Sequence, residues 1–565
     1  MNKNNIQISG AEVLLKTLIK QKATTIFGYP GGGIMPIYDA LYDYQKKLNH
    51  ILVRHEQGAI HAAVGFARAT GNPGVCFATS GPGATNLVTG IADAMSDSVP
   101  VVCITGQVAA ESIGTDAFQE ADIINITSPI TKWNYQITDA NEIFDVINKA
   151  FYIATTGRPG VVLIDIAKSA QFQKINFKNS NKISIQKLSR HITLDKKAIK
   201  KAADILNQAK RPMMLIGHGV LISKAEKEVV KIMEKLKMPC AVTLHGLSAI
   251  PYGHLLYVGM LGMHGNYAPN ILTNQADVIF AVGMRFDDRI TGKVSKYAPQ
   301  AKIVHVDIDP VEHNKIIKAH MTITGDAKQV LKEMSKSLKN CSHPKWLNQF
   351  KLLIQKENNA ENKRNRTSNG EIRMDEVVSL LSKVTKGEAI IVADVGQNQM
   401  VSAKYYQYKN PNSFITSGGF GTMGFGLPAA IGVKIGQRNR QVVAILGDGG
   451  FQMTIQELGT IMQEKLPVKI MILNNNYLGM VRQWQELFFN KRYSFTYLKN
   501  PDFISLTKSY GIKAVRVQKR QQLKKAMELF LQNDEPYLLE VMVEKEWNIF
   551  PMIPSGAAVD NMRLE

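Results

Sequence analysis

The stretch that decides the fold is residues 441–476, QVVAILGDGGFQMTIQELGTIMQEKLPVKIMILNNN. The short apolar run at 441–446 predicts a buried parallel strand. Apolar residues then recur at helical spacing between 451 and 461, which predicts a helix with polar residues such as Glu457 on its opposite face. A second apolar run, 468–473, predicts another strand. This order is typical of a right-handed crossover that joins two parallel strands of one sheet.

Polar side chains end both of these strands. Asp448 follows the first strand between two glycines, and Asn475 follows the second strand. Ligands bind at the carboxyl ends of strands in open α/β sheets. Carboxylate and amide oxygens suit Mg²⁺, which usually brings phosphates with it, and the bare N–H groups of glycines at a helix start suit a diphosphate. A loop that holds Asp and Asn by chance is the alternative, but the separation of 27 residues favours a Mg²⁺ and diphosphate site.

Composition limits the class of protein. The 565 residues are enough for three or four domains, and 45% hydrophobic with 20% charged residues is ordinary for a globular protein. No apolar run is long enough to span a membrane, and residues 1–5 show no secretion signal. The four cysteines form no CxxC pair, which indicates reduced thiols. We therefore expect a cytoplasmic protein with no membrane segment.

The net charge of +21 raises the question of nucleic-acid binding. The lysines are interspersed with Glu, Asp and Asn, and no basic and aromatic motif of a nucleic-acid-binding module is present. We therefore interpret the charge as scattered over solvated faces and expect no nucleic-acid partner. A positive field would also suit anionic cofactors and a small carboxylate substrate.

Three stretches alternate short apolar runs with helical patterns, which predicts an α/β protein of three doubly wound parallel-sheet domains. The domains are predicted at 1–170, 196–340 and 372–565, with polar linkers at 171–195 and 341–371. The first and third stretches look like two versions of one architecture. In the second, the glycines around His218 make only a weak dinucleotide fingerprint, and an acid that ends a strand, Asp307, could bind ribose hydroxyls or simply lie in a solvated turn.

Glu56 is the acid of interest in the first stretch. It follows a predicted strand at 51–54 and precedes an Ala-rich helix that is predicted to end near Gly71. A carboxylate at this place could favour the helix dipole, or it could take part in catalysis.

The motifs together carry a resemblance to a known family. The GDG…NN pair and the segment 54–58 (RHEQG) resemble those of thiamine diphosphate enzymes. Across nearly its whole length the chain resembles the large, catalytic subunits of acetohydroxyacid synthase, also called acetolactate synthase. The matching stretches are 27–32 (FGYPGG), 80–86 (SGPGATN), 114–120 (GTDAFQE), 157–160 (GRPG), 285–289 (RFDDR), 395–397 (VGQ), 417–419 (SGG), 423–426 (MGFG), 479–481 (GMV) and 483–484 (QW).

The resemblance implies a reaction and its cofactors. Pyruvate would be decarboxylated on thiamine diphosphate, and the two-carbon unit joined to a second 2-keto acid, pyruvate or 2-ketobutyrate, in the first common step of branched-chain amino-acid biosynthesis. The first domain would bind the aminopyrimidine, the middle domain FAD, and the third domain diphosphate and Mg²⁺. Family members are homodimers or homotetramers with active sites between the first domain of one chain and the third domain of its partner, and a small regulatory subunit is an expected partner.

The resemblance also implies roles for single residues. Glu56 would hydrogen-bond N1′ of the aminopyrimidine, and Met423 would hold the cofactor in its bent form. The expected catalytic and substrate residues are Glu56, Gln119, Lys168, Met423 and Trp484. The expected thiamine diphosphate contacts are Tyr29, Pro30, Glu56, Gln397, Gly421, Met423, Gly449 and Tyr477. The expected FAD contacts are Arg158, His264, Arg285, Asp307 and Asp326, and the expected Mg²⁺ ligands are Asp448, Asn475 and the backbone carbonyl of Tyr477.

Four residues depart from the family pattern. Asn398 stands where the family often has His beside the diphosphate, and Val401 where Trp is usual. Because an amide, like an imidazole, can donate to phosphate, we expect binding to survive. Ala167 and Ser169 replace a usual Pro and Asp on either side of Lys168, which leaves the position of Lys168 open.

Rival interpretations are other thiamine diphosphate enzymes or a non-catalytic homologue. The motifs at 285–289 and 479–484 argue against an FAD-dependent pyruvate oxidase or a simple decarboxylase, and the former argues against the FAD-free acetolactate synthases. A glyoxylate carboligase lacks the glutamate at position 56. A degenerate nucleotide-binding homologue is expected to have lost Glu56, Asp448 or Asn475, and all three are present.

Overall fold

A computed structural model describes residues 7–177, 193–366 and 370–565. Three six-stranded sheets follow one another along the chain, and every neighbouring pair of strands in them is parallel. Helices connect the strands of each sheet. The prediction of three parallel-sheet α/β domains is therefore confirmed, whereas the domain boundaries stay predictions.

The first unit forms a sheet with the order β3-β2-β4-β5-β7-β6, and a short antiparallel pair, β1 with β8, joins the two ends of the unit. Its strands are β1 Gln7–Ser9, β2 Thr25–Gly28, β3 Asn49–Leu52, β4 Gly74–Ala78, β5 Val101–Gln107, β6 Trp133–Ile137, β7 Val161–Ala167 and β8 Lys174–Asn176. Its helices are α1 Gly10–Lys20, α2 Met35–Tyr44, α3 Glu56–Thr70, α4 Pro82–Thr85, α5 Val88–Ser96, α6 Ile123–Thr127, α7 Ile143–Thr155 and α8 Lys168–Phe172.

The middle unit has the sheet order β11-β10-β9-β12-β13-β14, which is the strand order of dinucleotide-binding folds. Its strands are β9 Pro212–Ile216, β10 Cys240–Val242, β11 Tyr257–Met260, β12 Val278–Val282, β13 Lys302–Asp307 and β14 Met321–Thr324. Its helices are α9 Lys196–Gln208, α10 His218–Ile222, α11 Glu226–Leu236, α12 Tyr267–Thr273, α13 Asp288–Thr291 and α14 Ala327–Met334, and α15 Pro344–Arg366 leads to the third unit.

The third unit has the sheet order β16-β15-β17-β18-β20-β19, which repeats the topology of the first unit strand for strand. Its strands are β15 Ile390–Ala393, β16 Phe414–Thr416, β17 Val442–Gly447, β18 Lys469–Asn474, β19 Lys513–Val517 and β20 Tyr537–Met542. Its helices are α16 Met374–Val384, α17 Gln397–Tyr405, α18 Gly426–Gly436, α19 Asp448–Met453, α20 Leu458–Glu464, α21 Gly479–Phe488, α22 Phe503–Ser509 and α23 Arg520–Gln532. The expectation that the first and third stretches share one architecture is confirmed.

The crossover predicted from 441–476 is present, since β17 and β18 are parallel neighbours. The single helix predicted between them is instead α19 and α20, separated by a 3-10 turn at Ile455–Glu457. Thr454 breaks the helix because its backbone is non-helical and its hydroxyl donates to the Gly424 carbonyl over 2.9 Å. The prediction that Glu457 lies on a polar outer face is wrong, because its side chain is fully buried.

The two predicted linkers differ in what the structure describes. Most of the linker predicted at 341–371 is the helix α15, so this connection is regular rather than irregular. The linker predicted at 171–195 includes residues 178–192, which lie outside the described residues.

Helices α3 and α18 pack the first unit against the third at very short range. A Cβ added at Gly65 of α3 would lie 2.1 Å from the Ala429 carbonyl oxygen, and one added at Gly432 of α18 would lie 1.8 Å from the Ala62 carbonyl oxygen. Both neighbours are backbone atoms, so only glycine allows this approach at the two positions. The buried apolar side chains of the two units merge around the helix pair into one core.

We predict that Gly432→Val lowers the midpoint of thermal unfolding of the full chain, because the helices must move apart to admit the side chain. Gly32→Val is the matched control, since a Cβ at Gly32 would meet no atom within 4 Å. Differential scanning calorimetry of both variants measures the difference. Equal midpoints for Gly432→Val and the unmodified chain would contradict the close contact.

Candidate active site

The structure brings Asp448 and Asn475 to one edge of the third sheet, at the ends of β17 and β18. Both side chains are buried. Asp448 Oδ2 accepts a hydrogen bond of 2.7 Å from Asn500 Nδ2, and this same amide reaches the side-chain oxygens of Asn474 at 3.2 Å and Asn476 at 3.1 Å. Asn500 therefore holds both strand ends together, a role that the sequence gives no signal for.

A cavity of about 50 Å³ lies over this edge. Its walls include Gln397, Met423, residues 447–450, Asn475 and residues 477–481. Glycine is required around it: a Cβ at Gly449 would lie 2.8 Å from Leu478, and one at Gly450 would lie 2.6 Å from an Asp394 carboxylate oxygen. The start of α19 consequently presents backbone N–H groups rather than side chains.

The donor set fits a hard divalent cation with a diphosphate. Asp448 supplies a carboxylate and Asn475 a carboxamide, which are the oxygen ligands that Mg²⁺ prefers. Burial raises the pKa of Asp448 to about 6, so the carboxylate lacks a full set of partners for its charge. A bound cation would offset that desolvation.

Met423 lies in a loop that a buried carboxylate holds in place. Asp394 accepts hydrogen bonds from the backbone N–H groups of Gly424 (3.1 Å) and Gly426 (2.8 Å). Gly424 has φ +85, in the region that favours glycine. Met423 lines both the small cavity and a larger one beside it, so it lies where the two spaces meet.

Asn398 differs from its expected role beside the diphosphate. Its Nδ2 donates to the carbonyl of Asp394 over 2.7 Å and to that of Ile445 over 3.1 Å. Both N–H bonds are therefore used on the backbone, and the expectation that this amide donates to a phosphate is not supported. Val401, the other departure in this region, is buried in the core.

Gln397 reaches Asn475 from the start of α17. Its Oε1 accepts a hydrogen bond of 3.3 Å from Asn475 Nδ2, and its Nε2 donates to Gln483 and to the Trp547 carbonyl. Tyr477 belongs to the same edge, since its backbone N–H donates to Asn475 Oδ1 over 3.1 Å. The predicted diphosphate and metal residues of the third unit thus lie together.

Glu56 is the first residue of α3 rather than the residue before the helix, and α3 ends near Gly71 (φ +75), as predicted. Its buried carboxylate accepts a hydrogen bond of 2.9 Å from Asn86 Nδ2, and a Cβ at Gly83 would lie 3.1 Å from its other oxygen. Glu56 is not part of the wall of either cavity that Met423 lines. The structure therefore does not bring Glu56 to the Asp448 edge of its own chain.

The surface near Glu56 carries other predicted residues of the first unit. Tyr29, Pro30 and Gln119 are exposed, and so is Phe118 at 89%. Gln119 packs its backbone against Gly81, where a Cβ would lie 2.7 Å from the Gln119 carbonyl oxygen.

Lys168 is the first residue of α8, and its backbone N–H donates a hydrogen bond to the Val108 carbonyl. The hydroxyl of Ser169 accepts a hydrogen bond of 3.0 Å from the Ala110 N–H. This departure from the family pattern thus helps to fix the start of α8.

The larger cavity has a volume of about 770 Å³ and is bounded by all three units. Gly421 and Trp484, predicted to lie near the cofactor and the acceptor, line this cavity. All five residues predicted to contact FAD line it too: Arg158, His264, Arg285, Asp307 and Asp326. The cavity lies at the switch point between β9 and β12, where ligands bind in such sheets.

Glycines let two turns meet at this switch point. A Cβ at Gly217 would lie 2.4 Å from the Gly283 carbonyl oxygen, and one at Gly219 would lie 2.7 Å from the Gly283 Cα. The motif around His218, weak in sequence, therefore has a packing function at the cavity wall.

Two polar features of this cavity fit a large polar ligand. His264 is buried, and neither of its ring nitrogens has a hydrogen-bond partner in the described parts of the chain. Its burial lowers the pKa to about 4, so the neutral ring can donate and accept. The Arg158 guanidinium is held at the rim by Glu312 at 2.7 Å and Asp309 at 3.6 Å, two acids that sequence reasoning did not pair with it.

Three protein-family models of thiamine pyrophosphate enzymes match the chain in order. They are the N-terminal TPP binding domain over residues 8–126, the central domain over 199–334 and the C-terminal TPP binding domain over 394–541. The acetolactate synthase isozyme 2 large subunit of Escherichia coli K12 is 42% identical over 98% of this chain and 99% of its own length. The chain belongs to the acetolactate synthase large-subunit family.

Relatives of this family from other lineages are as similar. A probable acetolactate synthase large subunit of Methanocaldococcus jannaschii is 44% identical over 98% of this chain and 95% of its own length. The acetolactate synthase large subunit of Buchnera aphidicola is 43% identical over 99% of this chain and 98% of its own length. Members of this family are thiamine diphosphate enzymes, and this chain has both of the family's TPP binding domains.

Within residues 7–177, 193–366 and 370–565, no helix has the length and apolar character that crossing a membrane requires. All four cysteines are free thiols, as predicted.

We predict a pH-dependent difference between Asp307→Asn and the unmodified chain, both free of flavin. Burial raises the pKa of Asp307 from 3.8 to about 6. The folded chain therefore binds this proton more tightly than the unfolded chain, and the stability from it is present below about pH 4 and lost as pH rises through 6. Thermal midpoints across this range should shift in favour of Asp307→Asn as pH rises. A difference in thermal midpoint between the two proteins that does not change with pH would contradict the raised pKa of Asp307.

Proposed function

We propose that this chain is the catalytic subunit of an acetolactate synthase that uses Mg²⁺ and FAD besides thiamine diphosphate. The observation that carries the proposal is the joint between the two cavities, where Met423 separates the Asp448–Asn475 edge from a cavity large enough for a dinucleotide. The substrates are pyruvate and a second 2-keto acid, and the product feeds branched-chain amino-acid synthesis.

Asp448, Asn475 and the Tyr477 carbonyl would hold Mg²⁺, and residues 447–450 would hold the diphosphate on their N–H groups. Gly421 and Met423 would help to hold the cofactor beside the larger cavity, and Trp484 would shape the acceptor pocket. When bound, thiamine diphosphate supplies the carbon nucleophile and the electron sink for decarboxylation. Glu56 would hold a proton at the aminopyrimidine, with Asn86 fixing its carboxylate.

The five residues of the larger cavity would hold FAD, with Arg158 at the rim and His264 inside, whose ring has no hydrogen-bond partner among the residues that the structure describes. The dinucleotide-binding strand order of this unit supports a ligand of that class. FAD would keep the walls of the cavity in place and would not change oxidation state in the net reaction.

We infer that two chains share each active site, in a homodimer or a homotetramer. Supporting this, Glu56 lies outside the cavities of its own chain, and both halves of the site are flanked by exposed apolar side chains. They are Tyr29 and Phe118 on the first unit, and Met453, Phe495 and Tyr497 on the third. Gln119 and Lys168 would then line the substrate entrance from the first unit of the partner chain.

A small regulatory subunit is a proposed partner, because the relatives are named as large subunits. The cytoplasm is the proposed compartment, since four free cysteines suit a reducing environment.

We predict that the purified chain with pyruvate, thiamine diphosphate and Mg²⁺ forms acetolactate only when FAD is added, and without oxygen uptake. Glu56→Gln should lower kcat by about 10²–10⁴-fold, because the amide cannot exchange a proton. Asp43→Asn, an exposed carboxylate of α2 in the same unit, is the control and should keep the rate.

The products decide between this function and its rivals. Colorimetric acetolactate, acetaldehyde and peroxide assays distinguish the synthase from a decarboxylase and an oxidase. Acetaldehyde or peroxide as the main product, or a normal rate in Glu56→Gln, would contradict the proposal.

A further inference from the structure

Glu457 is a charged side chain with no solvent exposure, at the end of the 3-10 turn between α19 and α20. Carboxylates are rarely buried unless specific partners compensate the loss of water. The function proposed above gives this residue no role, so its partners show what it does.

The partners of Glu457 lie in the first unit, directly before Glu56. Glu457 Oε1 accepts a hydrogen bond of 3.0 Å from the Arg54 backbone N–H, and the neighbouring His55 backbone N–H lowers the pKa of the same carboxyl against the effect of its burial. The start of a helix leaves its N–H groups without partners inside the helix. A carboxylate of the third unit supplies an acceptor for the backbone just before the N-cap of α3, whose first residue is Glu56.

The contact is shaped on both sides. A Cβ at Gly58, in the first turn of α3, would lie 2.3 Å from Glu457 Oε1, so glycine at this position admits the carboxylate. On the other side, Glu457 Oε2 accepts a hydrogen bond of 2.7 Å from the Thr460 hydroxyl. The Arg54 side chain adds separate bonds to the Gly459 carbonyl (3.1 Å) and to Gln463 Oε1 (2.9 Å).

We propose that Glu457 is a positioning residue for Glu56: it holds the backbone of Arg54 and thereby fixes the direction in which the Glu56 carboxylate enters the active site. This inference rests on the proposed function, since it assigns Glu56 its role. A residue that only stabilises the boundary between the units would leave the chemistry of Glu56 unchanged, and the experiment separates the two cases.

The variants follow from the hydrogen bonds. Glu457→Ala removes the acceptor. Glu457→Gln keeps it, because the amide oxygen can face the Arg54 N–H while its NH₂ group donates to the Thr460 oxygen, whose own hydrogen can go to the Leu52 carbonyl at 3.2 Å. Gln463→Ala is the matched control, since it removes a contact of the Arg54 side chain at the same boundary and leaves the backbone bonds in place.

The first measurement is hydrogen exchange of the full chain, read by mass spectrometry on peptides that cover residues 53–58. In Glu457→Ala the amide of Arg54 should exchange at least about tenfold faster than in the unmodified chain, because its acceptor is gone. Glu457→Gln and Gln463→Ala should keep the unmodified rate. This measurement needs no cofactor.

The second measurement uses the chain loaded with thiamine diphosphate, Mg²⁺ and FAD. In Glu457→Ala the pH titration of the amino and imino forms of the cofactor, followed by near-ultraviolet circular dichroism, should move toward that of Glu56→Gln. Its kcat should fall at least about tenfold while KM for pyruvate stays within about twofold, since a displaced acid affects the chemical step more than substrate binding. Glu457→Gln should restore both readouts.

Three outcomes would overturn the proposal. The first is unchanged hydrogen exchange at residues 53–58 in Glu457→Ala. The second is a lowered kcat in Glu457→Ala with an unchanged cofactor titration, and the third is a Glu457→Gln variant that does not keep the exchange rate and the titration of the unmodified chain. If Glu457→Ala does not fold, Glu457→Asp replaces it, because the shorter side chain keeps the charge and withdraws the acceptor. A normal rate in Glu56→Gln would overturn the proposed function itself, whatever the exchange shows.

Discussion

The close packing of α3 on α18 is the constraint on which the rest of the structure depends. Backbone meets backbone there because Gly65 and Gly432 carry no side chain. Helix α3 begins at Glu56, and α18 begins just after the loop of Met423, so one contact sets the position of the acid and of the loop that separates the cavities. Arg68, also on α3, extends the junction to the middle unit by donating to the Thr416 carbonyl and to His245. Asp97 completes this buried cluster: a carboxylate oxygen lies 2.9 Å from His245 Nε2, and the carboxylate accepts hydrogen bonds from the N–H groups of residues 418–419 in the wall of the larger cavity.

This packing also agrees with the proposal that one chain holds two half-sites. The first and third units share their topology and bury one face of each against the other, and Glu457 fixes the segment before Glu56 from the third unit of the same chain. The rims of both halves remain apolar and exposed, which is unusual for a surface that nothing covers. A second copy of the chain would cover both rims at once. In a two-fold dimer, the first unit of each chain can contact the third unit of its partner, so the same contact forms twice.

The sequence predicted the parts of the site that local patterns encode. Asp448 and Asn475 could be placed because a single crossover joins their strands, and Glu56 because a strand and an Ala-rich helix flank it. Strand β6 was not predicted, since its residues are half-buried and mixed in polarity. Strand β10 has only three residues, and glycine in β11 and threonines in β14 interrupt the apolar pattern. Asn86, Asn500 and Glu457 were missed because their roles come from partners distant in the chain, and the regular helical period assigned Glu457 to the wrong face.

The most direct test of the account is subunit complementation between two inactive variants, Glu56→Gln and Asp448→Ala. If each site takes Glu56 from one chain and Asp448 from its partner, a mixed dimer has one intact site and one site with both lesions. Random reassembly of equal amounts should then restore roughly a quarter of the activity of the unmodified enzyme, since half of the dimers are mixed and each has one working site of two. Mixtures no more active than the separate variants would show that each site is built within one chain, and would contradict the account.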